Sequence, residues 1–209
     1  LAHHRLDCAE SVLMHVFRGS GINGLRGMSE CDGKIIRPLA SVDKCEISSY
    51  VKERGIAFCS DETNSDTTYN RNFIRKKVIP LVNERYDAIS AAEKLSFLAR
   101  ADDDFICSLI PDDDFTAEDN RCSFDISNLG KPYALASRYV LIAAKRAGLS
   151  TDMEKKHVDE IIALSGKQNG KSVALPHGYV AVREYLLVTV YKKQEACFDC
   201  IPYAEGITA

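Results

Sequence analysis

Two histidines and two carboxylates lie close together near the start of the chain. His3 and His4 precede Asp7, and Glu10 follows three residues later. Residues at this spacing share one face of a helix, and carboxylates in a first turn are stabilised by the helix dipole. Such a pair can hold a cationic ligand while a histidine donates or accepts a proton. A metal site built from imidazoles and carboxylates, and a purely structural helix cap, are the two alternatives.

A second polar group lies in the basic segment 70–77. Arg71 and Arg75 are four residues apart, so they share one face of a predicted helix, with Asn72 between them. The planar guanidinium group matches the oxygen atoms of phosphate. A solvated basic face is the alternative, but the polar loop 60–66 makes the cluster denser than a simple exposed face.

Hydrophobic periodicity predicts the elements that position these residues. In the first helix, apolar residues at 9, 12, 13, 16 and 17 form a core-facing stripe, and glycines 19 and 21 end the helix. A short strand is expected at 34–39. Further helices are predicted at about 43–54, 70–85, 88–110, 133–147 and 152–164, and further strands at 172–175, 179–182 and 186–190.

These elements predict two structural units and a tail. Residues 1–86 form an α/β unit, residues 88–192 form an α+β module, and residues 193–209 form a linker or the start of a further domain. Apolar residues of the helix at 88–110 form a predicted seam that includes Leu95, Leu98 and Phe105. The chain begins in the middle of an α/β unit, so we expect it to be a fragment that lacks an upstream part.

Composition narrows the class of protein. The chain has 209 residues, a net charge of −3 and 45% hydrophobic residues, which is typical of a globular protein. Its longest apolar runs are far shorter than the ~20 residues needed to cross a bilayer, so no membrane partner is expected. Eight scattered cysteines indicate reduced thiols in a cytoplasmic protein. Cys197 and Cys200 have metal-ligand spacing, but no second ligand pair lies nearby, and no metal site is predicted.

Six motifs occur in one order over about eighty residues, and together they are specific. They are His3-His4-x-x-Asp7-x-x-Glu10-Ser11, Arg18-Gly19-Ser20-Gly21, Arg37-Pro38-Leu39, Asp61-x-Thr63-Asn64, Arg71-Asn72-x-Ile74-Arg75 and Ile79-Pro80-Leu81. The series resembles the second half of the catalytic domain of the tRNA(Ile)-lysidine synthases, which are N-type ATP pyrophosphatases of the PP-loop class. The segment from Gly170 to Arg183 is similar to the substrate-recognition domain of that family.

The resemblance implies a fold and a reaction. The fold is a remnant of a parallel-sheet PP-loop domain, followed by a substrate-recognition domain of helices and a small antiparallel sheet. The reaction is a ligation in tRNA processing: ATP adenylates the wobble cytidine of tRNA(Ile), and the amine of free lysine displaces AMP to form lysidine. The implied partners are tRNA(Ile), lysine, ATP and Mg²⁺, and a homodimer is one assembly considered.

The resemblance also implies roles for individual residues. His4, Asp7 and Glu10 would be catalytic, and the two carboxylates would hold lysine. Arg71, Asn72 and Arg75 would bind substrate, and the two arginines would contact phosphate or tRNA. In the second module, Lys145, Arg146 and Arg183 would bind tRNA. Leu6 stands where the family commonly carries a further carboxylate, which weakens any prediction of two metal ligands there.

The glycine-rich Ser-Gly-Gly-x-Asp-Ser turn that holds pyrophosphate in this family does not occur in the sequence. We expect it in an upstream part, which would bind most of the ATP and Mg²⁺, and we expect no adenylation by this chain alone.

Two other functions fit the sequence. One is a related PP-loop enzyme that installs sulfur on tRNA cytidine, which Cys197 and Cys200 favour slightly. The other is a non-catalytic tRNA-binding module formed by residues 88–192. Its cationic side chains would be Arg138, Lys145, Arg146, Lys155, Lys156 and Arg183.

Overall fold

The computed structural model describes residues 1–33, 35–58 and 70–193. The chain forms two compact units, Leu1–Leu109 and Ile110–Ala209. We expected a boundary near residue 87, whereas the long helix that follows it packs within the first unit. The functional roles assigned to 1–86, 88–192 and 193–209 stay predictions. Asp61, Thr63, Asn64, Cys197 and Cys200 lie outside the described residues.

The first unit is mostly helical. Its described elements are α1 (Arg5–Phe17), α2 (Ile22–Leu25), β1 (Cys31–Asp32), β2 (Ile35–Ile36), α3 (Lys44–Glu53), α4 (Asn70–Phe73), a π-helical turn (Ile74–Val78), α5 (Ile79–Asn83) and α6 (Ala88–Ser108). β1 and β2 pair in antiparallel register. Asp43 caps α3, and Asp87 caps α6 by accepting a hydrogen bond from the Ser90 N–H.

Small residues allow α1 and α6 to pack closely. Ala9 and Val12 of α1 are buried against Ala92 of α6. Gly27, which follows α2, has φ +63°, and a Cβ there would lie 2.9 Å from a methyl group of Val12. A larger residue at position 27 would push the chain away from α1, so glycine is needed for this close approach.

The prediction of which apolar residues of α1 and α6 face the core is wrong in part. At the end of α1, Val16 and Phe17 are exposed, while Glu10 of the same helix is fully buried. On α6 the buried apolar residues are alanines, and Leu98 and Phe105 are exposed. Periodicity identified both helices, but it assigned the large residues to the core because it assumes that apolar side chains face inward.

Residues 70–83 form one helical segment whose middle turn is wide. In this turn the Ile79 N–H donates to the Ile74 carbonyl, five residues back. Pro80 has no N–H and lies in the first turn of α5, where a donor is not needed. The proline therefore does not end the helical segment. In the π-helical turn before it, a carbonyl group accepts from the N–H five residues later instead of four.

The second unit is a five-stranded antiparallel sheet with helices on one face. Its described elements are β3 (Phe115–Glu118), β4 (Arg121–Asp125), α7 (Tyr133–Arg146), α8 (Lys155–Ile162), β5 (Ser172–Ala174), β6 (Tyr179–Glu184) and β7 (Leu187–Lys192), with short 3₁₀ turns between them. The strand order is β3-β4-β7-β6-β5. The turn predicted at Pro176–Gly178 joins β5 to β6.

One continuous core holds this second unit together. Three aromatic rings form its centre: the ring centroids of Phe115 and Tyr139 lie 5.5 Å apart, and those of Phe124 and Tyr139 lie 5.9 Å apart. Apolar residues from α7, α8 and all five strands surround them. The prediction of helices with a small antiparallel sheet is confirmed for this unit. The predicted parallel sheet of the first unit is not confirmed, because all strand pairs in the described residues are antiparallel.

Candidate ligand-binding site

The first turn of α1 is fixed from both ends. The Asp7 carboxylate accepts a hydrogen bond of 2.9 Å from the His4 N–H, which closes the turn at the helix start. The Arg5 guanidinium binds both oxygen atoms of the Glu93 carboxylate, at 2.5 and 2.6 Å, and also reaches the Asp43 carboxylate. Arg5 thereby connects α1 to α6 and to the start of α3. This sets the direction in which Asp7 and the following turn point.

Asp7 and Glu10 form one cluster with Arg71 and Arg75. Arg75 donates to both oxygen atoms of Glu10, at 2.5 and 2.8 Å, and to Asp7 at 2.8 Å. Arg71 donates to Glu10 at 2.9 Å and to Asp7 at 3.3 Å. Each guanidinium therefore bridges both carboxylates. We call these four residues the charge cluster.

Burial differs sharply within the charge cluster. The Glu10 side chain is 0% exposed and that of Asp7 is 12% exposed, whereas Arg75 and Arg71 are 21% and 40% exposed. A buried carboxylate must be paired to be tolerated, and the two guanidinium groups supply that pairing. The hydrogen bond between Arg75 and Glu10 is the main reason that the pKa of Arg75 is raised, so the Arg75 side chain stays charged.

His4 lies at the edge of the charge cluster. Its Nδ1 atom is 3.4 Å from a carboxylate oxygen of Asp7, and this buried atom has no hydrogen-bond partner. Burial lowers the pKa of His4, and the nearby Asp7 opposes that shift only in part. At neutral pH the imidazole is therefore neutral, and it can accept a proton from a group that enters the cluster.

The structure joins two groups that the sequence presents as separate. The spacing predicts a cation site at Asp7 and Glu10 and an anion site at Arg71 and Arg75. In the fold these are the same place, because Arg71 lies 61 residues after Glu10 in the chain but in contact with it in space. Asn72 is half-buried beside the arginines. The roles of His4, Asp7, Glu10, Arg71, Asn72 and Arg75 in binding or catalysis stay predictions.

The charge cluster does not fit Mg²⁺. Magnesium prefers oxygen ligands with a net negative charge, but both carboxylates here are neutralised by guanidinium groups. Within the described part of the chain, no group of three histidine, cysteine, aspartate or glutamate side chains is arranged to hold a metal ion.

Several residues that build the loop beside α1 have no role predicted from their sequence. Buried Arg37 donates to the Ser29 carbonyl at 2.9 Å and to His3 Nδ1 at 3.2 Å. Arg26 binds Asp103 of α6 at 2.6 Å, and Arg100 donates to the Arg26 carbonyl at 2.8 Å. The available sequence signal was Pro38, which fixes the backbone φ next to Arg37.

An open cleft of about 450 Å³ lies between this loop and α6. Cys8 and Val12 of α1 line one side, and Phe97 and Arg100 of α6 line the other. Burial raises the pKa of Cys8, so its thiol is protonated and is not a nucleophile at neutral pH. The cleft lies beside α1, next to the face that carries the charge cluster.

The three predicted tRNA-binding residues of the second unit differ from one another in exposure and in their contacts. Lys145 is exposed near the end of α7. Arg146 pairs with the Asp112 carboxylate and covers the Phe115 ring at 4.5 Å. Arg183 donates to the backbone carbonyl groups of Leu164 and Ser165, at 3.1 and 2.9 Å, as well as to that of Lys167.

The remaining cations of the alternative tRNA-binding set are also engaged. Arg138 is buried and donates to Ser137 at 3.1 Å. Lys155 pairs with Asp159 and Lys156 with Glu154, both on the surface. Their roles in tRNA binding are not tested by these contacts and stay predictions.

Comparison with known proteins identifies the relatives of this chain. Residues 1–82 match the PP-loop domain family. A tRNA(Ile)-lysidine synthase of Clostridium perfringens is 31% identical over 193 residues, which cover 88% of this chain and 41% of that protein. One of Caldanaerobacter subterraneus subsp. tengcongensis is 28% identical over 205 residues, covering 93% and 43%. The chain is thus similar to tRNA(Ile)-lysidine synthases. One of Chlorobaculum tepidum is 48% identical over 84 residues, covering 40% and 25%.

The predicted resemblance to tRNA(Ile)-lysidine synthases is confirmed, and it extends through both units. The chain spans less than half the length of these three relatives. The matched PP-loop domain, 1–82, contains α1 and the 70–78 segment, and therefore all four residues of the charge cluster. None of the described helices is long and apolar enough to span a membrane.

Proposed function

We propose that this chain takes part in an ATP-dependent ligation that attaches lysine to the wobble cytidine of tRNA(Ile). The charge cluster carries the proposal, together with the names of the relatives. It brings together two carboxylates, which suit an ammonium group, and two guanidinium groups, which suit a phosphate, inside the matched PP-loop domain. Lysine and an adenylated nucleotide are ligands of these two kinds.

The chemistry proposed for these residues is binding and proton transfer. Asp7 and Glu10 would hold an ammonium group of lysine by charge-assisted hydrogen bonds. Arg71 and Arg75 would hold phosphate oxygens of the nucleotide or the tRNA. When the amine attacks the adenylated carbon, its nitrogen forms the new bond, AMP leaves with the electron pair of the broken C–O bond, and the amine loses a proton. Neutral His4, whose ring lies beside Asp7, would accept that proton.

Lysine recognition is tested by calorimetry with three related ligands. Lysine, norleucine, which lacks the side-chain amine, and 6-aminohexanoate, which lacks the α-amine, have similar carbon chains. We expect lysine to bind more tightly than at least one of the others, and Asp7→Asn to weaken lysine binding about tenfold or more, because a charge-assisted hydrogen bond is lost. Equal binding of all three ligands, or no effect of Asp7→Asn, would contradict the proposal.

The ligation is tested in a protein that contains this sequence. Radiolabelled lysine should enter a tRNA(Ile) transcript with cytidine at the wobble position, in an ATP-dependent reaction that Asp7→Asn suppresses. A transcript that carries uridine at this position is the matched control and should accept no label. Label in the uridine transcript would show that the cytidine is not the acceptor.

We also propose that the end of α7 contacts tRNA. Lys145 is exposed there, beside Arg146. Reversing both charges, with Lys145→Glu and Arg146→Glu, should lower the salt dependence of tRNA binding by about two units in the log–log slope, since each lost phosphate contact removes about one. Lys94→Glu, an exposed lysine of the first unit, is the control. An unchanged slope in the double variant would assign tRNA binding elsewhere.

A further inference from the structure

The charge cluster is electrically neutral and internally satisfied. Two carboxylates and two guanidinium groups make five ion-pair hydrogen bonds of 2.5–3.3 Å between side chains. The most deeply buried member, Glu10, has both of its carboxylate oxygens occupied. A small cation therefore meets no open acceptor at Glu10, although the sequence pattern offers one.

A cation can reach these carboxylates only if a guanidinium group moves away from them. The displaced arginine would then lack the charge partner that it now has, which costs free energy in a partly buried place. An oxyanion that binds the displaced arginine removes this cost. The converse holds for an oxyanion alone, because drawing an arginine away would leave a buried carboxylate unpaired.

The geometry indicates which arginine moves. Arg71 is the more exposed of the two, at 40%, and its bond to Asp7 is the longest side-chain contact of the cluster, at 3.3 Å. Arg75 is more buried and reaches both oxygen atoms of Glu10. Arg71 is therefore the residue that an oxyanion from solvent meets first, and Arg75 keeps Glu10 paired.

We propose that an oxyanion and an alkylammonium ion bind the charge cluster cooperatively, with Arg71 as the residue that couples them. The inference rests on the proposed function for the identity of the two ligands, a phosphate compound and lysine. It adds that neither ligand binds tightly without the other. Free lysine therefore binds more weakly in the absence of the phosphate ligand.

The test measures lysine binding to the chain by calorimetry, with and without saturating inorganic pyrophosphate. Metal ions are removed with a chelator, and chloride keeps the ionic strength constant. We expect pyrophosphate to tighten lysine binding about tenfold, within the range of about 5–150-fold that is typical of coupled sites. Lysine should tighten pyrophosphate binding by the same factor, because binding free energies are reciprocal.

Two variants locate the coupling. Arg71→Gln removes the movable guanidinium, so lysine should bind more tightly without pyrophosphate, and the effect of pyrophosphate should become small. Arg85→Gln, an exposed arginine of the same unit, should behave like the wild type. Thermal unfolding shows whether each variant is folded. The comparison of lysine binding with and without pyrophosphate is made on the wild type, so it does not depend on the folding of a variant.

The outcomes separate this inference from the proposed function. If lysine binds equally with and without pyrophosphate, the coupling is refuted while lysine recognition stands. If the coupling persists undiminished in Arg71→Gln, the role of Arg71 is refuted. If lysine binds neither the wild type with pyrophosphate nor Arg71→Gln, both the lysine site and the coupling are refuted.

Discussion

The two units of the chain are stabilised in different ways. The second unit has one continuous core in which the rings of Phe115, Phe124 and Tyr139 pack against one another and large aliphatic residues fill the space around them. The first unit has two small apolar clusters, one around Ala9, Val12 and Ala92 and another around Ile74, Ile79 and Ala88. Ion pairs supply much of the remaining order there, through the charge cluster and through Arg5 and Arg26.

The difference shows where function constrains stability. Buried ion pairs contribute little net stability compared with apolar residues of the same volume, so they are a costly way to hold helices together. They are useful where charged ligands must bind. The first unit thus carries its candidate site in the place where a purely structural domain would have a hydrophobic core.

The largest effect should follow from a change in the core of the second unit. Phe124→Ala removes a buried ring from the aromatic centre and should lower the free energy of unfolding of this unit by about 3–5 kcal/mol. Val12→Ala in the smaller core of the first unit should cost about 2 kcal/mol. Urea unfolding followed by hydrogen exchange of each segment measures the two effects. A loss below about 1 kcal/mol for Phe124→Ala would contradict the comparison.

The next effect concerns the charge cluster. Glu10→Gln leaves two guanidinium groups with one carboxylate and should cost about 2–4 kcal/mol, somewhat less than a fully buried pair because the arginines are partly exposed. Glu93→Gln, which breaks the more exposed pair with Arg5, is the matched control and should cost less than about 1 kcal/mol. Thermal unfolding measures both variants. Equal costs would mean that burial of the cluster does not matter.

An effect of similar size is expected at the contact between α1 and the loop after α2. Gly27→Ala places a Cβ close to Val12 and requires alanine to adopt the positive φ of this position. Together these two effects should lower the free energy of unfolding by about 2–4 kcal/mol. Gly55→Ala has a similar φ of +60° but open space around it, so it should cost only about 1–2 kcal/mol. The difference between the two melting temperatures isolates the effect of close packing. No difference would show that the loop yields.

The smallest effect is a pH dependence. Burial lowers the pKa of His4 below its ordinary value of 6.5, so the unfolded chain takes up a proton at a higher pH than the folded chain does. The stability is therefore complete above pH 6.5 and is lost as the pH falls below 6.5, until the folded form is protonated too. Melting temperatures between pH 7.5 and 5.5 should fall more steeply for the wild type than for His4→Gln. Parallel curves would contradict this assignment.

Local patterns predicted most of the elements. The helix beginning at Ala88, the helix beginning at Tyr133 and the three C-terminal strands lie within a few residues of their predicted bounds. Strand β3 was not predicted, because Phe115–Glu118 has only one large apolar residue and lies at the edge of the sheet. Edge strands need less apolar alternation, so periodicity detects them poorly.

The individual residues of the candidate site were predicted from the sequence, but their meeting in one cluster was not. Spacing along a helix indicates that Asp7 and Glu10 share a face, and the same holds for Arg71 and Arg75. Nothing in the local sequence says that these two faces meet, since that depends on how α1 packs against the 70–78 segment. Ion pairs between residues that are far apart in the chain depend on the tertiary fold, which local patterns do not show.

The wide turn before Pro80 changes how this part of the sequence must be counted. Ile74 and Ile79 are five residues apart and are both buried in the same small cluster, which an ordinary α-helix would not allow. The turn inserts one residue into the helical phase. Deleting a single residue between them would therefore restore an ordinary α-helical turn and leave the side chains from Ile79 onward on their present faces.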